Sequence, residues 1–143
     1  MPHALVLRRR VQFYETDAAG IVHFSTFFRY LEEAEHALWR ANGMSIFTAD
    51  PTHGWPRVAA AFDYKRPLRF QDEFVVLVRI IAVSRRTIRY GFELRRDDTF
   101  VGHGSITVAS VTVSAAGEMT SVDVPIGIVE RLRGAMNGPP VEE

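Results

Sequence analysis

Apolar residues follow the period of an α-helix in one long segment of this 143-residue chain, and that restricts the fold more than any other feature. From Phe24 they recur every three or four positions, which is the spacing of one helix face: Phe24, Phe27, Phe28, Leu31, Ala34 and Leu38. Asn42 and Gly43, which tolerate left-handed backbone angles, end the pattern. The spacing predicts an amphipathic helix over residues 25–41.

Residues of high β propensity dominate the rest of the chain. The segment Leu5–Tyr14 alternates apolar and polar residues, which predicts a strand. Four further strand-like runs follow the helix: Val58–Tyr64, Phe74–Ser84, Arg86–Arg95 and Phe100–Val113. Their short connections permit antiparallel pairing, whereas parallel neighbours need a crossover of about a dozen residues. A short helix is expected near Ile126–Ala135. This order predicts an α+β fold in which one central helix packs on an antiparallel sheet of about five strands.

No repeat or linker divides the sequence, so residues 1–136 are expected to form a single domain. Residues 137–143 contain Gly138, Pro139 and Pro140 and lack apolar periodicity, which predicts a disordered tail. One sheet and one strongly apolar helix leave strand edges and apolar surface uncovered. We therefore expect a homodimer or homotetramer.

Composition excludes several classes of protein. The 17 basic and 17 acidic residues cancel to a net charge of zero, which argues against a nucleic-acid partner. The absence of cysteine excludes disulfides, thiolate metal sites and a cysteine nucleophile. No apolar run approaches the ~20 residues that span a bilayer, so no membrane association is expected. Near the N-terminus the arginines follow the apolar stretch, the reverse of a signal peptide, and this predicts a cytoplasmic protein.

Few residues are placed to carry chemistry. The five histidines show no helical metal-binding spacing, and no dinucleotide or phosphate-binding glycine motif occurs, so neither a metal nor a cofactor is expected. The exception is the segment Tyr14–Phe24, which runs from a strand end through Asp17 and Gly20 to the start of the predicted helix. A helix N-terminus offers free N–H groups that stabilise an oxyanion, and Asp17 lies a few residues upstream of it. Asp17 is also suited simply to fixing the turn through side-chain hydrogen bonds.

The residues from Tyr14-Glu15-Thr16-Asp17 through Gly20-Ile21-Val22-His23-Phe24 resemble the N-terminal motif of the 4-hydroxybenzoyl-CoA thioesterase-like family of hotdog proteins. The stretch 63–72, with its tyrosine, proline and final aspartate, is similar to a second family segment. The resemblance implies a hotdog fold, in which the sheet wraps the long helix, and an active site at a subunit interface. The chain departs from the family pattern at the start of the helix. Family members with a Tyr-His pair there have histidine at the position of Phe24, whereas in this chain the histidine, His23, comes one residue earlier.

The resemblance also implies roles for individual residues. Asp17 takes the position of the catalytic carboxylate, and Phe24 or its neighbour takes that of the residue whose backbone N–H faces the thioester carbonyl. His23 is a further catalytic candidate that orients water or the acyl group, or else a solvent-facing residue. Tyr14 and Gly20 are candidate substrate-binding residues. Glu35 falls on the apolar helix face and is an alternative acid, or the partner of an arginine across a dimer.

The resemblance therefore implies an acyl-CoA thioesterase that releases free acid and CoA, with Asp17 as general base or nucleophile. An acyl carrier protein thioesterase of the same fold and a non-catalytic acyl-CoA-binding module are the alternatives. Every basic residue except Lys65 is an arginine, and the guanidinium group suits phosphate. We expect contacts to the CoA phosphates from Arg85, Arg86 and Arg89 on a hairpin. The acyl group itself cannot be deduced from the sequence.

Overall fold

The fold is built around one helix and one large sheet, seen here in a computed structural model that describes residues 3–143. The helix α1 (Thr26–Ala41) begins one residue after its predicted start and ends at its predicted residue. Phe27, Leu31, Ala34 and Leu38 from the predicted apolar face are buried. Phe24 differs from the prediction, because it precedes the first helical residue and is 65% exposed.

Five strands make up most of the main sheet, which confirms the predicted α+β architecture of one helix on an antiparallel sheet. They are β1 (Leu5–Arg10), β3 (Arg57–Tyr64), β4 (Glu73–Val83), β5 (Thr87–Arg96) and β6 (Thr99–Ala109). The sheet order is β3-β6-β5-β4-β1, and every pair in it is antiparallel. Alternate residues of β4 and β5, such as Val76, Val78, Ile88 and Tyr90, point into the core beneath α1.

A smaller sheet joins β2 (His53–Gly54), β7 (Val111–Val113) and β8 (Met119–Ser121). The predicted strand Phe100–Val113 is therefore two strands in two sheets. They separate at Ser110, whose side chain is held by His53 and by the carbonyl of Asp123. Because these partners lie far away in sequence, local spacing did not reveal the break. The helix α2 (Ile126–Asn137) confirms the predicted C-terminal helix and buries Leu132.

The first predicted strand is also shorter than expected. It ends at Arg10, and the chain forms a short 3-10 helix over Phe13–Glu15 instead of continuing to Tyr14. Val11 is held by the residues that precede β4, because its N–H donates to the carbonyl of Asp72 and its own carbonyl accepts the N–H of Gln71.

The tail expected to be disordered differs from that prediction. Residues Val141–Glu142 form a strand, β9, that pairs in parallel with Leu5 and Val6 of β1. The N–H of Glu143 donates to the carbonyl of Val6, and Arg40 forms an ion pair with Glu143. The backbone groups at the open edge of β1 thus bind the tail. The composition of the tail does not reveal this pairing. Within residues 3–143, no helix combines the length and apolar character needed to cross a membrane.

Candidate active site

A cleft of about 420 Å³ opens at the N-terminal end of α1, which we call the Asp17 cleft. It lies where residues 16–23, the motif loop, meet the segment after β3. The N–H of Val22 donates to the carbonyl of Leu68 at 2.8 Å, and Ile21 forms an isolated bridge with Arg69, so the two segments are joined. The lining residues are Asp17, Ile21, Val22, Phe24, Phe27, Tyr64, Lys65, Arg66 and Pro67.

Asp17 is held by hydrogen bonds within the motif loop. Its N–H donates to the carbonyl of Ile21 at 2.8 Å, and its carbonyl accepts the N–H of Gly20, whose φ of 79° allows the tight turn. The carboxylate oxygen Oδ1 accepts the N–H of Ala19 at 2.8 Å. No donor among residues 3–143 binds the second oxygen, Oδ2. The side chain therefore fixes the turn with one oxygen and leaves the other available for chemistry.

Phe24 supplies a free backbone donor at the start of α1. The N–H of Thr26 donates to the carbonyl of His23, but the N–H of Phe24 has no acceptor in the part of the chain that the structure describes. The carbonyl of Phe24 accepts the hydroxyl of Tyr64 at 2.7 Å, which ties the helix start to the end of β3. Burial raises the pKa of Tyr64. A free N–H at the positive end of a helix is suited to stabilising an oxyanion.

Three other predicted site residues lie outside the cleft. His23 is exposed, with its Nδ1 2.8 Å from the hydroxyl of Ser25 and its ring 4.7 Å from the ring of Phe24. Tyr14 is 81% exposed on the 3-10 helix, and Gly20 is exposed at the tip of the motif loop. The structure thus brings Asp17 and Phe24 together but not the other three. A role for these three in catalysis or substrate binding stays a prediction.

The predicted phosphate-binding arginines are remote from the Asp17 cleft within one chain. The strand register places Tyr64 and the cleft at one end of the sheet, beside Gly102 and Leu94, whereas Arg85 and Arg86 follow β4 at the opposite end. Both guanidinium groups contact Asp123, at 2.9 and 3.1 Å, and the hydrogen bond from Arg86 lowers the pKa of that carboxyl. Arg89 is exposed on β5.

Glu35 is separate from the cleft and is neutralised inside its own chain. The residue is only 1% exposed, and its carboxylate binds Arg57 of β3 at 2.5 and 3.0 Å. The arginine partner expected from another subunit is therefore supplied by this chain. A buried carboxylate paired in this way joins α1 to the edge strand of the sheet.

The cleft contains residues to which the sequence assigned no role. Tyr64 and Pro67 were noticed only as part of a family segment, although Tyr64 contacts the start of α1 directly. Lys65 and Arg66 bring positive charge to the cleft, and both of their N–H groups donate to the carbonyl of Val101. By contrast, Asp72, the final aspartate of that family segment, stabilises the turn before β4, because its side chain accepts the N–H of Arg69 at 2.8 Å. Across residues 3–143, no group of three His, Asp or Glu side chains is arranged to hold a metal ion.

Comparison with known protein families gives one match that spans most of the chain. Residues 11–132 match the family described as the Thioesterase-like superfamily. The match includes the motif loop, α1 and the segment 65–72, and so covers every lining residue of the Asp17 cleft.

Individual proteins give consistent similarities. A putative esterase from Aquifex aeolicus is 40% identical over 98 residues, which cover 67% of this chain and 76% of that protein. A 1,4-dihydroxy-2-naphthoyl-CoA hydrolase from Synechococcus sp. is 32% identical over 113 residues, or 73% of this chain and 74% of that enzyme. A crystal structure of a 4-hydroxybenzoyl-CoA thioesterase bound to 4-hydroxybenzoyl-CoA has a TM-score of 0.81 and covers 90% of this chain and 97% of its own. At 15% identity, that last likeness establishes a common fold.

Proposed function

Because the chain belongs to the thioesterase-like superfamily and is a thioester hydrolase, we propose that it hydrolyses an acyl-CoA and that Asp17 carries the reaction. One observation carries the proposal: the free Oδ2 of Asp17 and the unpaired N–H of Phe24 belong to two residues that line one cleft at the positive end of α1. A carboxylate and an oxyanion donor together suit hydrolysis of a thioester, because the first activates water or attacks the carbonyl carbon and the second stabilises the negative charge that develops on the carbonyl oxygen. A cytoplasmic location is part of the same proposal.

The reaction begins with the thioester carbonyl oxygen directed at the N–H of Phe24. Acting as a base, Asp17 removes a proton from water while the water oxygen bonds to the carbonyl carbon. The tetrahedral intermediate collapses, the C–S bond breaks, and the proton passes to the departing CoA thiolate. Acting as a nucleophile, Asp17 instead forms a mixed anhydride as the thiolate leaves, and water then hydrolyses it. Rapid-quench mass spectrometry distinguishes the two routes, because only the second adds the acyl group to Asp17.

Two observations favour an aromatic acyl group as the substrate. The cleft is walled by Phe24, Phe27 and Tyr64, and the rings of Phe27 and Tyr64 meet edge to face at 5.1 Å. Aromatic pairs of this geometry also offer a surface on which a further ring packs favourably. In addition, several relatives are 1,4-dihydroxy-2-naphthoyl-CoA hydrolases, which act on an aromatic thioester.

A hydrolysis screen tests the proposed activity. Aromatic, short-chain and long-chain acyl-CoAs are incubated with the protein, and released CoA is measured with a thiol-trapping dye. We expect the highest kcat/KM for an aromatic acyl-CoA. Turnover only of acyl groups attached to acyl carrier protein would identify that carrier instead. Binding of acyl-CoA with no turnover of any thioester would identify a non-catalytic module.

The CoA phosphates require positive charge, and we propose that Arg85, Arg86 and Arg89 provide it from a partner subunit. Within one chain, Lys65 and Arg66 are the basic residues that line the Asp17 cleft. Replacing Arg85 and Arg86 with glutamine is expected to raise KM and weaken its dependence on salt, because exposed charge contacts are screened by ions. The same change at Lys65 and Arg66 is the matched comparison. If only the second pair alters KM, the hairpin arginines do not bind the phosphates.

A further inference from the structure

A partly buried charged cluster surrounds Glu15, the residue directly before the motif loop, and the reaction described above does not use it. Glu15 is 6% exposed, although it is a carboxylate. It accepts hydrogen bonds from Arg9 at 2.5 and 3.2 Å, from the Tyr30 hydroxyl at 2.9 Å and from the N–H of Gln12 at 2.8 Å. Arg9 also binds Glu33 at 2.8 Å, and its guanidinium lies 5.0 Å from the centre of the Tyr30 ring. The hydrogen bonds that Arg9 donates to Glu33 and Glu15 raise its pKa, so this cation remains charged.

Glu15 holds both ends of the motif loop. Its side chain is anchored in the cluster, and the chain continues from it through Thr16 to Asp17. Its backbone carbonyl accepts the N–H of His23 at 2.9 Å, and His23 immediately precedes Phe24. Thus Glu15, which lies two residues before Asp17, also binds His23, the residue directly before Phe24.

Between these two anchors the tip of the loop is exposed, and beyond the tip Val22 is buried and its N–H donates to the carbonyl of Leu68. Ala18, Ala19 and Gly20 are exposed, and the loop's contacts consist largely of backbone hydrogen bonds. A buried carboxylate with several donors, by contrast, is restricted to one geometry, because losing any of its partners leaves a buried charge unsatisfied. Glu15 therefore links the start of the loop to β1 through Arg9 and to α1 through Tyr30.

We propose that Glu15 is a positioning residue for thioester hydrolysis, which sets the distance between the Asp17 carboxylate and the Phe24 N–H through its bonds to Arg9, Tyr30 and His23. The proposal rests on the function assigned above to Asp17 and Phe24. A displacement of about 1 Å between reacting groups lowers a rate by as much as ~100-fold. We expect this loss of rate to lower kcat and not to raise KM, because the other residues of the cleft bind the substrate.

The test compares Glu15→Gln with Glu33→Gln in steady-state hydrolysis of the best acyl-CoA from the screen. Both changes remove one of the two carboxylates that bind Arg9, and both keep the size of the side chain. Only Glu15 is connected to the motif loop, because Glu33 lies on α1. We expect Glu15→Gln to lower kcat by about 10- to 100-fold with KM unchanged, and Glu33→Gln to leave both constants near their original values.

Equal losses in the two variants, or an unchanged kcat in folded Glu15→Gln, would overturn the proposal. If Glu15→Gln does not fold, Tyr30→Phe replaces it, since that change removes one hydrogen bond to Glu15 and retains the buried ring. A smaller fall in kcat at constant KM supports positioning, and an unchanged kcat refutes it. Asp17→Asn is assayed alongside. Full activity in that variant would refute the proposed function itself. An inactive Asp17→Asn together with a fully active Glu15→Gln would refute only the positioning role of Glu15.

Discussion

The two carboxylate oxygens of Asp17 have different roles, one structural and one chemical. A substitution can therefore test the two roles separately. Oδ1 accepts the N–H of Ala19 within the loop, while Oδ2 has no donor among residues 3–143. Asparagine keeps an oxygen for the first task and loses the negative charge needed for the second. We predict that Asp17→Asn folds, still binds acyl-CoA, and loses hydrolysis by ~10²- to 10⁴-fold. Thermal unfolding and CoA release measure the two properties. Full activity in the folded variant contradicts the chemical role, and loss of folding would show that turn-fixing dominates.

Gln71 has backbone angles that favour glycine. Its φ is 71°, its side chain is exposed, and its N–H donates to the carbonyl of Val11. A left-handed conformation costs an ordinary residue about 1–2 kcal/mol, which exceeds the extra entropy that glycine loses on folding. We predict that Gln71→Gly increases the free energy of unfolding by about 0.5–1 kcal/mol in urea titrations.

The reverse substitution serves as its control. Gly117 has a φ of 85°, and a Cβ added there would meet no atom within 4 Å, so Gly117→Ala tests backbone strain alone. It is expected to lower the free energy of unfolding by about 1 kcal/mol. A loss of stability in Gln71→Gly would show that the side chain makes a contribution larger than the strain.

Among the elements, β6 has a glycine, Gly104, that allows Phe62 of β3 to pack close to the helix α1. Gly104 pairs with Phe62 of β3, and a Cβ at Gly104 would lie 2.5 Å from the carbonyl oxygen of Ala61 and 2.8 Å from the Phe62 ring. The missing side chain lets Phe62 pack over the strand and contact Phe27 of α1 at 5.0 Å between ring centres. This packing supports the end of β3, where Tyr64 reaches the cleft.

We therefore predict that Gly104→Ala lowers the free energy of unfolding by about 1–3 kcal/mol, the usual cost of overpacking. Gly134→Ala, within α2, is the matched control, because its added Cβ would meet nothing within 4 Å. It is expected to stabilise the protein by about 0.5–1 kcal/mol through helix propensity. Urea titrations of the two variants should shift in opposite directions. A Gly104→Ala protein as stable as the parent would mean that β3 moves freely away from β6.

Across the whole molecule, one long edge of the main sheet is open. Within residues 3–143 the strand β3 has only β6 beside it, and all its residues except Phe62 are exposed, including Val58 at 59%. An exposed apolar strand edge binds another strand readily. We propose that a second copy of the chain pairs here. Such pairing would also give the Asp17 cleft, next to the end of β3, a wall from the partner subunit.

Sedimentation velocity at micromolar concentration is predicted to give at least twice the 16.2 kDa mass of one chain. Val58→Lys combined with Ala60→Lys is expected to shift the protein toward the monomer, because lysine on an edge strand opposes pairing. A double variant on α2, at Glu130 and Arg133, changes charge away from β3 and provides the control. A 16.2 kDa species for the unaltered protein would exclude the dimer.

Local regularities in the sequence determined the main elements. Spacing of three and four between apolar residues located α1 to within one residue, and short turns such as Asp97-Asp98 required antiparallel neighbours. The family resemblance of the segment from Asp17 to Phe24 also singled out two residues that line the cleft. These features depend on residues close together in the chain, and side-chain periodicity records which face of an element is buried.

Tertiary structure alone decided the contacts between distant segments. Tyr64 reaches Phe24 across 40 positions, Arg57 neutralises Glu35 across 22, and the tail pairs with β1 from the opposite end of the chain. The burial of Glu15 likewise depends on Arg9 and Tyr30 arriving at one point. These contacts between distant residues depend on strand register and on the path of each loop. A shift of one residue in register would turn Tyr64 to the other face of the sheet, because alternate side chains of a strand point in opposite directions.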